Sequence, residues 1–254
     1  MTRTRLSVVA TATIAMLAML AGLFVVACRP GTVGECNGTV PTTEAVYCAA
    51  TTTTTTPPRP LVVGVVGDSI TAQSAAVITS TLSAAGYTPA VRGKSGYDSI
   101  DIAATVDLFL PQHPDVMIFE LGTNDVTAIR YGTPTADHPD RPATGQDTAD
   151  RIAAYAAKFP GACIAVTTVT THRTSAPHGP ATWNKAAQDI DVALHLGFRH
   201  VVEWNDAEWA QRNATPPVVL LQTDLIHPTN PDGQVFLAGL DRAMADTCKA
   251  ELRP

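Results

Sequence analysis

Ser69 is the first residue of interest, because it lies where a strand is predicted to end and a helix to begin. The preceding run, Leu61–Val66, is apolar and rich in β-branched residues, which is typical of a buried parallel strand. The stretch Gly67-Asp68-Ser69-Ile70 follows, and a helical pattern extends from there to about Ala85. Such a turn lies at the carboxyl edge of a sheet, where open α/β folds bind ligands. The Ser69 hydroxyl is therefore a candidate nucleophile.

A serine hydroxyl is a weak nucleophile and needs a base within hydrogen-bond reach. His227 is the candidate base, and Asp224 lies three residues before it in the stretch Asp224-Leu225-Ile226-His227. On a turn, this spacing lets the carboxylate accept a hydrogen bond from Nδ1 while Nε2 faces the serine. The alternative for His227 is a histidine of a surface loop without a chemical role.

Two further stretches follow predicted strands, Gly93-Lys94-Ser95-Gly96 and Gly122-Thr123-Asn124-Asp125. With the two stretches above, they resemble in order and position the motifs of the SGNH hydrolases, also called GDSL esterases and lipases. The resemblance spans about residues 61–245. It implies an acyl-enzyme on Ser69, activated by His227 and Asp224. It also implies three donors to the oxyanion, namely the N–H of Ser69, the N–H of Gly96 and the side-chain amide of Asn124.

The match to that family has departures. The first motif ends in Ile70 where the family usually has leucine, and the stretch before Gly96 lacks the usual asparagine. A turn glycine at Gly96 and a turn-capping amide at Asn124 are the structural alternatives. Two acidic residues lie next to candidate site residues: Asp68 precedes Ser69, and Asp125 follows Asn124. Both are expected to cap turns or helices rather than to take part in catalysis.

Other classes of function fit the sequence less well. An α/β-hydrolase elbow needs glycines two positions either side of the serine, and Ser69 has Gly67 but Thr71. The histidines and cysteines show no metal-ligand spacing, so neither a metal nor another cofactor is expected. The formal net charge is -6 without long runs of either sign, which argues against a nucleic-acid partner.

Strands and helices alternate along the rest of the chain. The further predicted strands are Thr88–Gly93, Asp115–Leu121, Ala162–Val169 and His200–Trp204. The further helices are Ile100–Leu110, Gly145–Phe159, one after Pro180 and one that opens at Asn230-Pro231, with Asn230 as the N-cap and the proline at the first helical position. Repeated βα units predict an α/β fold, a three-layer α/β/α sandwich with a mainly parallel central sheet, of SGNH or flavodoxin-like type.

Two loops, Val126–Pro142 and Thr170–Pro180, are long enough to have a functional role and are expected to decide which acyl group is accepted. His172 and His178 lie in the second loop and are candidates to line the site. The three tryptophans are expected in the core or in the wall of a groove; they are Trp183, Trp204 and Trp209.

The amino-terminal segment has the pattern of a targeting sequence. Arg3 and Arg5 precede the uncharged apolar stretch Leu6–Ala27, and Cys28 follows in a context that resembles a bacterial lipobox. A cleaved signal peptide, an uncleaved membrane anchor and a lipoprotein signal all remain open. We therefore expect residues 1–28 to be the targeting segment, 29–60 a Thr/Pro-rich linker and 61–254 the hydrolase domain, outside the cytoplasm.

The chain has five cysteines, an odd number. In an oxidising compartment, the simplest pairing joins Cys36 to Cys48 and Cys163 to Cys248, and leaves Cys28 for a lipid. The alternative is that some of these cysteines are small buried apolar residues.

The sequence as a whole predicts a secreted or surface-tethered serine ester hydrolase. We expect a monomer whose partner is an acyl-ester substrate and whose only membrane contact is the amino-terminal segment. Two alternatives remain: an acyltransferase that passes the same acyl group to an envelope carbohydrate, and a non-catalytic envelope protein with the same fold.

Overall fold

The computed structural model of the chain describes residues 59–131, 143–174 and 179–253. The predicted targeting segment lies outside these residues, as do most of the linker, Cys28, Cys36, Cys48 and His178. The strands are β1 (Val62–Gly67), β2 (Thr88–Gly93), β3 (Val116–Glu120), β4 (Cys163–Thr167) and β5 (His200–Val202). The helices are α1 (Ser69–Ala84), α2 (Ala103–Asp107), α3 (Asp125–Tyr131), α4 (Gly145–Ala156), α5 (Pro180–Gly197), α6 (Trp204–Arg212) and α7 (Asp232–Leu252), with a 3-10 turn at Leu110–Gln112.

Within the described residues, the strands form one five-stranded sheet in the order β2-β1-β3-β4-β5, and each neighbouring pair is parallel. Successive side chains of a strand point to opposite faces. Val65 and Ile118 therefore pack in one apolar core, and Val66 and Phe119 pack in the other. Both faces are buried, as parallel sheets require. The predicted three-layer α/β/α fold is confirmed.

Each face of the sheet is covered by its own helices. Helices α1 and α7 pack against each other over one face, where Ile78 and Ala245 are fully buried. Helices α4 and α5 pack together over the other face, where Ile152 and Ile190 are fully buried. Removing these side chains from water supplies the main force that holds the layers together.

The strand register brings three loops to one place. Gly67 at the end of β1 is the register partner of Gly93 at the end of β2 and of Glu120 at the end of β3. A side chain at Gly67 would meet the Glu120 carbonyl at 2.6 Å, so only glycine fits the turn into α1 without a shift. The three candidate motifs that follow these strands therefore leave the sheet at the same level.

The structure corrects several predicted elements. The predicted loop Val126–Pro142 begins inside helix α3, and the predicted helix Ile100–Leu110 is reduced to the short α2 and the 3-10 turn. The predicted strand His200–Trp204 ends at Val202, and helix α6 follows directly. These differences have one cause. A short helix buries few residues, so its apolar residues repeat too few times to give a clear helical period in the sequence.

The start of α7 also differs from the prediction, which had Asn230 as the capping residue. The helix begins at Asp232, after a cis peptide bond between Asn230 and Pro231. The capping oxygen comes instead from Thr229, whose hydroxyl accepts a 2.9 Å hydrogen bond from the N–H of Gly233.

Two interactions lie at the amino ends of the strands, at the edge of the sheet opposite to Ser69. A disulfide joins Cys163 at the start of β4 to Cys248 in α7, as in the predicted pairing. Arg59 forms two 2.7 Å hydrogen bonds with the Asp115 carboxylate, just before β3.

Among the described residues, no helix has both the length and the apolar character needed to cross a membrane.

A pair of carboxyl groups lies in the interior beneath the turn that carries Ser69. Glu120 at the end of β3 is 5% exposed and Asp241 in α7 is fully buried. Glu120 accepts a hydrogen bond from the hydroxyl of Thr71, but no N–H or hydroxyl donor among the described residues reaches the Asp241 oxygens. Two buried carboxyl groups that lie near each other do not readily ionise together, so this pair retains a proton more readily than exposed carboxyl groups do.

Burial raises the pKa of Glu120 to about 7, and burial together with the neighbouring Glu120 raises the pKa of Asp241. An unfolded chain releases the proton near its ordinary glutamate pKa of 4.5. Between these pH values the folded state binds more protons than the unfolded state, so the free energy of unfolding decreases as the pH rises. Burial raises the pKa values of Asp68 and Asp191 to about 7 as well, with the same consequence.

We therefore expect the free energy of unfolding, measured by chemical denaturation, to be larger at about pH 5 than at about pH 8. The substitution Glu120→Gln removes one titrating group of the pair and should reduce that difference. An equal or greater stability at the higher pH in the unmodified protein would contradict the raised pKa values of these buried carboxyl groups.

Candidate active site

Ser69 is the first residue of α1 and is partly exposed at the carboxyl edge of the sheet. The helix begins here because Asp68 caps it: its carboxylate accepts a 2.9 Å hydrogen bond from the N–H of Ile70. Asp68 is 1% exposed, and burial raises its pKa to about 7. The expected capping role of Asp68 is confirmed, and the cap fixes the backbone from which the Ser69 hydroxyl projects.

The three residues of the predicted triad meet in space. Nε2 of His227 lies 2.9 Å from Oγ of Ser69, and Nδ1 of His227 lies 2.6 Å from Oδ2 of Asp224. A carboxylate only accepts hydrogen bonds, so Nδ1 carries a proton and Nε2 is left as the acceptor for the serine hydroxyl. This is the tautomer that a general base next to a serine needs.

Asp224 stays ionised in this setting. Partial burial raises its pKa, but hydrogen bonds from the ring of His227 and from the N–H groups of Ile226 and His227 outweigh that effect, so the pKa is lowered overall. One carboxylate thus orients both the backbone of its own turn and the imidazole ring.

The loop that carries Asp224 and His227 is closed at its base. The N–H of Gln222 donates to the carbonyl of His227 at 2.7 Å, and Leu221 and Pro228 form an antiparallel bridge. Leu225 takes a positive φ of 57°, which reverses the chain between the aspartate and the histidine. The acid and the base therefore lie on the same side of a tight turn.

A small apolar cluster attaches this loop to the start of α1. Ile70, next to the serine, packs with Trp204, Leu220, Leu221 and Leu237, and Ile226, next to the histidine, packs against the same cluster. Because residues adjacent to Ser69 and His227 share one core, burial of apolar surface helps to hold the two reactive groups together.

The two other predicted oxyanion donors lie in loops that follow the neighbouring strands. Gly96 is exposed, three residues after the end of β2, and has a φ of 80° that favours glycine. Asn124 is partly buried after β3, and its Nδ2 donates a 2.8 Å hydrogen bond to the carbonyl of Tyr97. An amide nitrogen has two hydrogens, so this bond leaves the second hydrogen of Asn124 for another acceptor. The N–H of Ser69 lies in the first turn of α1 and has no acceptor within the helix.

Asp125 differs from its expected capping role. Its side chain is fully buried and accepts hydrogen bonds from Ser99, at 3.1 Å from the backbone N–H and 2.5 Å from the hydroxyl. Ser99, which lies three residues after Gly96, is not among the site residues predicted from the sequence. The available signal was an acidic residue next to a candidate site residue, Asn124, in the segment that follows a buried strand, because such a group needs donors from another segment if it is buried.

The aromatic and histidine side chains divide between core and surface. Trp183 and Trp204 are 5% and 1% exposed and belong to the core, whereas Trp209 is 40% exposed. His172, which follows β4, stacks on the ring of Trp209 with 4.1 Å between ring centroids. The stacked pair lies on the side of β4 and β5, away from the loop of Gly96.

Cys163, His200 and Glu251 lie together among the described residues, and their potential metal-ligand atoms are within 4.8 Å of one another. The sulfur of Cys163 is bonded to Cys248, so no thiolate is available there. Cys163 and His200 begin their strands, which puts this group at the opposite edge of the sheet from Ser69.

Several solved structures share this fold. A GDSL-like lipase from Bacteroides thetaiotaomicron has a TM-score of 0.51 and 18% identity, over 75% of this chain and 92% of that one. The acetyl xylan esterase AlAXEase has a TM-score of 0.53 and 18% identity, over 71% and 97%. The lipase Lip_vut3, from a goat rumen metagenome, has a TM-score of 0.54 and 14% identity, over 72% and 97%. A comparison with curated proteins finds no match.

The sequence model of the GDSL-like Lipase/Acylhydrolase family matches residues 65–233. The matched segment begins within β1 and includes Ser69, Gly96, Asn124 and the loop of Asp224 and His227. It covers more than half of the chain, and the fold agrees with that of the solved lipases and esterases. The chain belongs to the GDSL-like lipase/acylhydrolase family.

Proposed function

We propose that the protein is a serine ester hydrolase that forms an acyl-enzyme on Ser69. The observation that carries the proposal is the hydrogen-bonded series from Asp224 through His227 to Ser69, with distances of 2.6 and 2.9 Å. A hydroxyl in such a series can lose its proton to the imidazole as it attacks an acyl carbon.

In the proposed acylation step, Oγ of Ser69 attacks the ester carbonyl carbon and its proton moves to Nε2 of His227. The Asp224 carboxylate stabilises the imidazolium that forms. The tetrahedral intermediate then collapses, the bond to the alcohol oxygen breaks, and Nε2 returns the proton to the departing alcohol. Ser69 is left as an ester of the acyl group.

In the proposed deacylation step, water takes the place of the alcohol. His227 accepts a proton from the attacking water and returns it to Oγ of Ser69 when the acyl group leaves as a carboxylic acid. In both steps the carbonyl oxygen becomes an oxyanion, which we assign to the N–H groups of Ser69 and Gly96 and to the amide of Asn124.

We further propose an extracytoplasmic location, with residues 1–28 as the targeting or anchoring segment and 29–60 as a spacer. The apolar stretch Leu6–Ala27 and the proline-rich end of the spacer support this location. The fold neighbours include proteins named as acetyl xylan esterases and lipases. The substrate range to test therefore extends from acetylated carbohydrates to longer acyl esters, with a chain-length panel as the measurement.

Two experiments separate this function from its alternatives. An acyltransferase would move the acyl group to a carbohydrate acceptor, so product analysis with an added polysaccharide distinguishes transfer from hydrolysis. A non-catalytic protein would fail to react with a fluorophosphonate probe, which labels an activated serine. Labelling of Ser69 together with release of free carboxylic acid is the result that our proposal predicts.

The substitution Ser69→Ala should abolish turnover of a short p-nitrophenyl ester, because no other hydroxyl lies against Nε2 of His227 among the described contacts. Circular dichroism and the melting temperature should remain close to those of the unmodified protein, since Ser69 is partly exposed. Activity retained by this variant would remove Ser69 from the mechanism.

The substitution Asn124→Ala should lower kcat by about a hundredfold or more, with much less change in KM, because its amide acts on charge that develops in the transition state. Steady-state kinetics on the same ester measure both constants. A change in KM alone would make Asn124 a substrate-binding residue.

The substitutions Asp224→Ala and His227→Ala should have unequal effects. His227 takes the proton, whereas Asp224 orients a ring whose loop is also held by the Leu221–Pro228 bridge. We expect the loss in kcat to be smaller for Asp224→Ala by about one to two orders of magnitude. A larger loss for Asp224→Ala than for His227→Ala would contradict these roles.

A further inference from the structure

We propose that Asp125 is a positioning residue for the oxyanion hole, and that it acts by fixing the loop of Gly96 through Ser99. The inference rests on the proposed function, since it concerns the donors of the same reaction. It assigns a task to a buried acid that neither accepts the serine proton nor contacts His227.

The contacts of Asp125 connect two loops of the site. Its Oδ2 lies 3.1 Å from the N–H of Ser99, and its Oδ1 lies 2.5 Å from the hydroxyl of the same residue and 3.3 Å from the hydroxyl of Thr148. Asp125 and Ser99 are both completely buried. Water therefore cannot compete for these bonds, and the loss of either partner would leave a buried polar group unsatisfied.

Asn124 and Asp125 hold the same loop at two points. Asn124 donates to the carbonyl of Tyr97, and Asp125 accepts from Ser99 two residues later. The hydroxyl of Tyr155 donates a 2.6 Å hydrogen bond to the Ser99 carbonyl from the side of α4. The loop segment directly after Gly96 is thus fixed on both of its sides.

Gly96 itself is not held in place by packing against other residues. It is exposed, and apart from its two chain neighbours no described residue has a heavy atom within 4 Å of the position that a Cβ would occupy. A 3.3 Å hydrogen bond from the N–H of Tyr97 to the carbonyl of Lys94 closes the turn that contains Gly96. The direction of the Gly96 N–H group therefore depends in part on the segment from Tyr97 to Ser99, which Asn124 and Asp125 fix. An oxyanion donor must be aimed before the charge develops, so a loosened loop would lose transition-state stabilisation rather than substrate binding.

The ionisation of Asp125 agrees with this role. Burial raises its pKa, and so does the charge of Asp98 nearby, while the hydrogen bonds from Ser99 and Thr148 lower it; the result is a pKa of about 6. At neutral pH the ionised form predominates, and hydrogen bonds to a carboxylate are stronger than those between neutral groups.

The test uses Asp125→Asn and Ser99→Ala in the full chain. Asp125→Asn keeps the shape but removes the charge and halves the number of acceptor oxygens, and Ser99→Ala removes only the hydroxyl. We expect each variant to lower kcat on a short ester by about 10- to 100-fold, with KM within about twofold. The rate of inactivation by a fluorophosphonate should fall in parallel, because the phosphoryl oxygen of the adduct occupies the oxyanion hole.

Asp191→Asn is the matched control. Asp191 is a buried acid on α5 that accepts a 2.7 Å hydrogen bond from the N–H of Val169, and it does not touch the loop of Gly96. It should lower the melting temperature by an amount similar to Asp125→Asn, with kcat within about twofold of the unmodified protein.

A double-mutant cycle with Asn124→Ala separates positioning from general destabilisation. If Asp125 acts by fixing the loop of Gly96, Asp125→Asn should reduce kcat much less once Asn124 has been removed, because loss of the Asn124 bond to Tyr97 already loosens that loop. A purely structural role predicts the same loss in both backgrounds, and that result would overturn the inference.

Unchanged kcat in folded Asp125→Asn and Ser99→Ala would also overturn the inference, while the proposed ester hydrolysis would stand. Should Asp125→Asn fail to fold, the same criteria apply to Ser99→Ala alone. Failure of the proposed function is recognised separately, by absent phosphonate labelling or by an active Ser69→Ala variant.

Discussion

The hydrogen bond between Oγ of Ser69 and Nε2 of His227 joins residues that are 158 positions apart in the chain. The length of this hydrogen bond depends on how two segments are held, the start of α1 and the loop of Asp224 and His227. Asp68 caps the helix that presents the serine, and Asp224 orients the imidazole from within a closed loop. The apolar cluster around Ile70 and Leu220 joins the two segments, so the geometry of the reacting groups is a consequence of core packing.

The parallel sheet also positions the three proposed oxyanion donors. Because β1, β2 and β3 end in register, the loops that follow them leave from one edge, and Ser69, Gly96 and Asn124 come to the same part of the molecule. Buried carboxyl groups then fix the details: Asp125 holds the loop of Gly96, and Glu120 accepts from Thr71 in the first turn of α1. Such groups cost desolvation energy, which their hydrogen bonds and bound protons offset.

Much of this arrangement could be predicted from the sequence. The run Leu61–Val66 and the strand that ends at Glu120 are apolar and β-branched enough to be recognised as buried strands. The turn after the first strand, the spacing of Asp224 and His227 and the family resemblance pointed to three side chains that the structure brings together. Local patterns are reliable where a long element buries many residues or where a motif has a fixed chemical task.

The remaining features depend on contacts between distant segments. The predicted strand His200–Trp204 includes the first residue of helix α6, because Trp204 is buried by residues of other segments rather than by its own periodicity. The capping oxygen of α7 comes from Thr229, not Asn230, since the chain geometry at the helix start decides which side chain reaches the free N–H. The partner of Asp125 could not be found either, because Ser99 reaches it only after β2 and β3 take their places around β1.

The proposed mechanism requires that the Ser69 hydroxyl forms a covalent bond to the acyl group during turnover. Rapid acid quenching of the protein with an excess of a short acyl ester, followed by peptide mass spectrometry, tests it directly. We predict that the peptide containing Ser69 carries the mass of one acyl group, and that the acyl group disappears as substrate is exhausted. Turnover with an unmodified Ser69 peptide, or with the acyl group on another residue, would contradict the account.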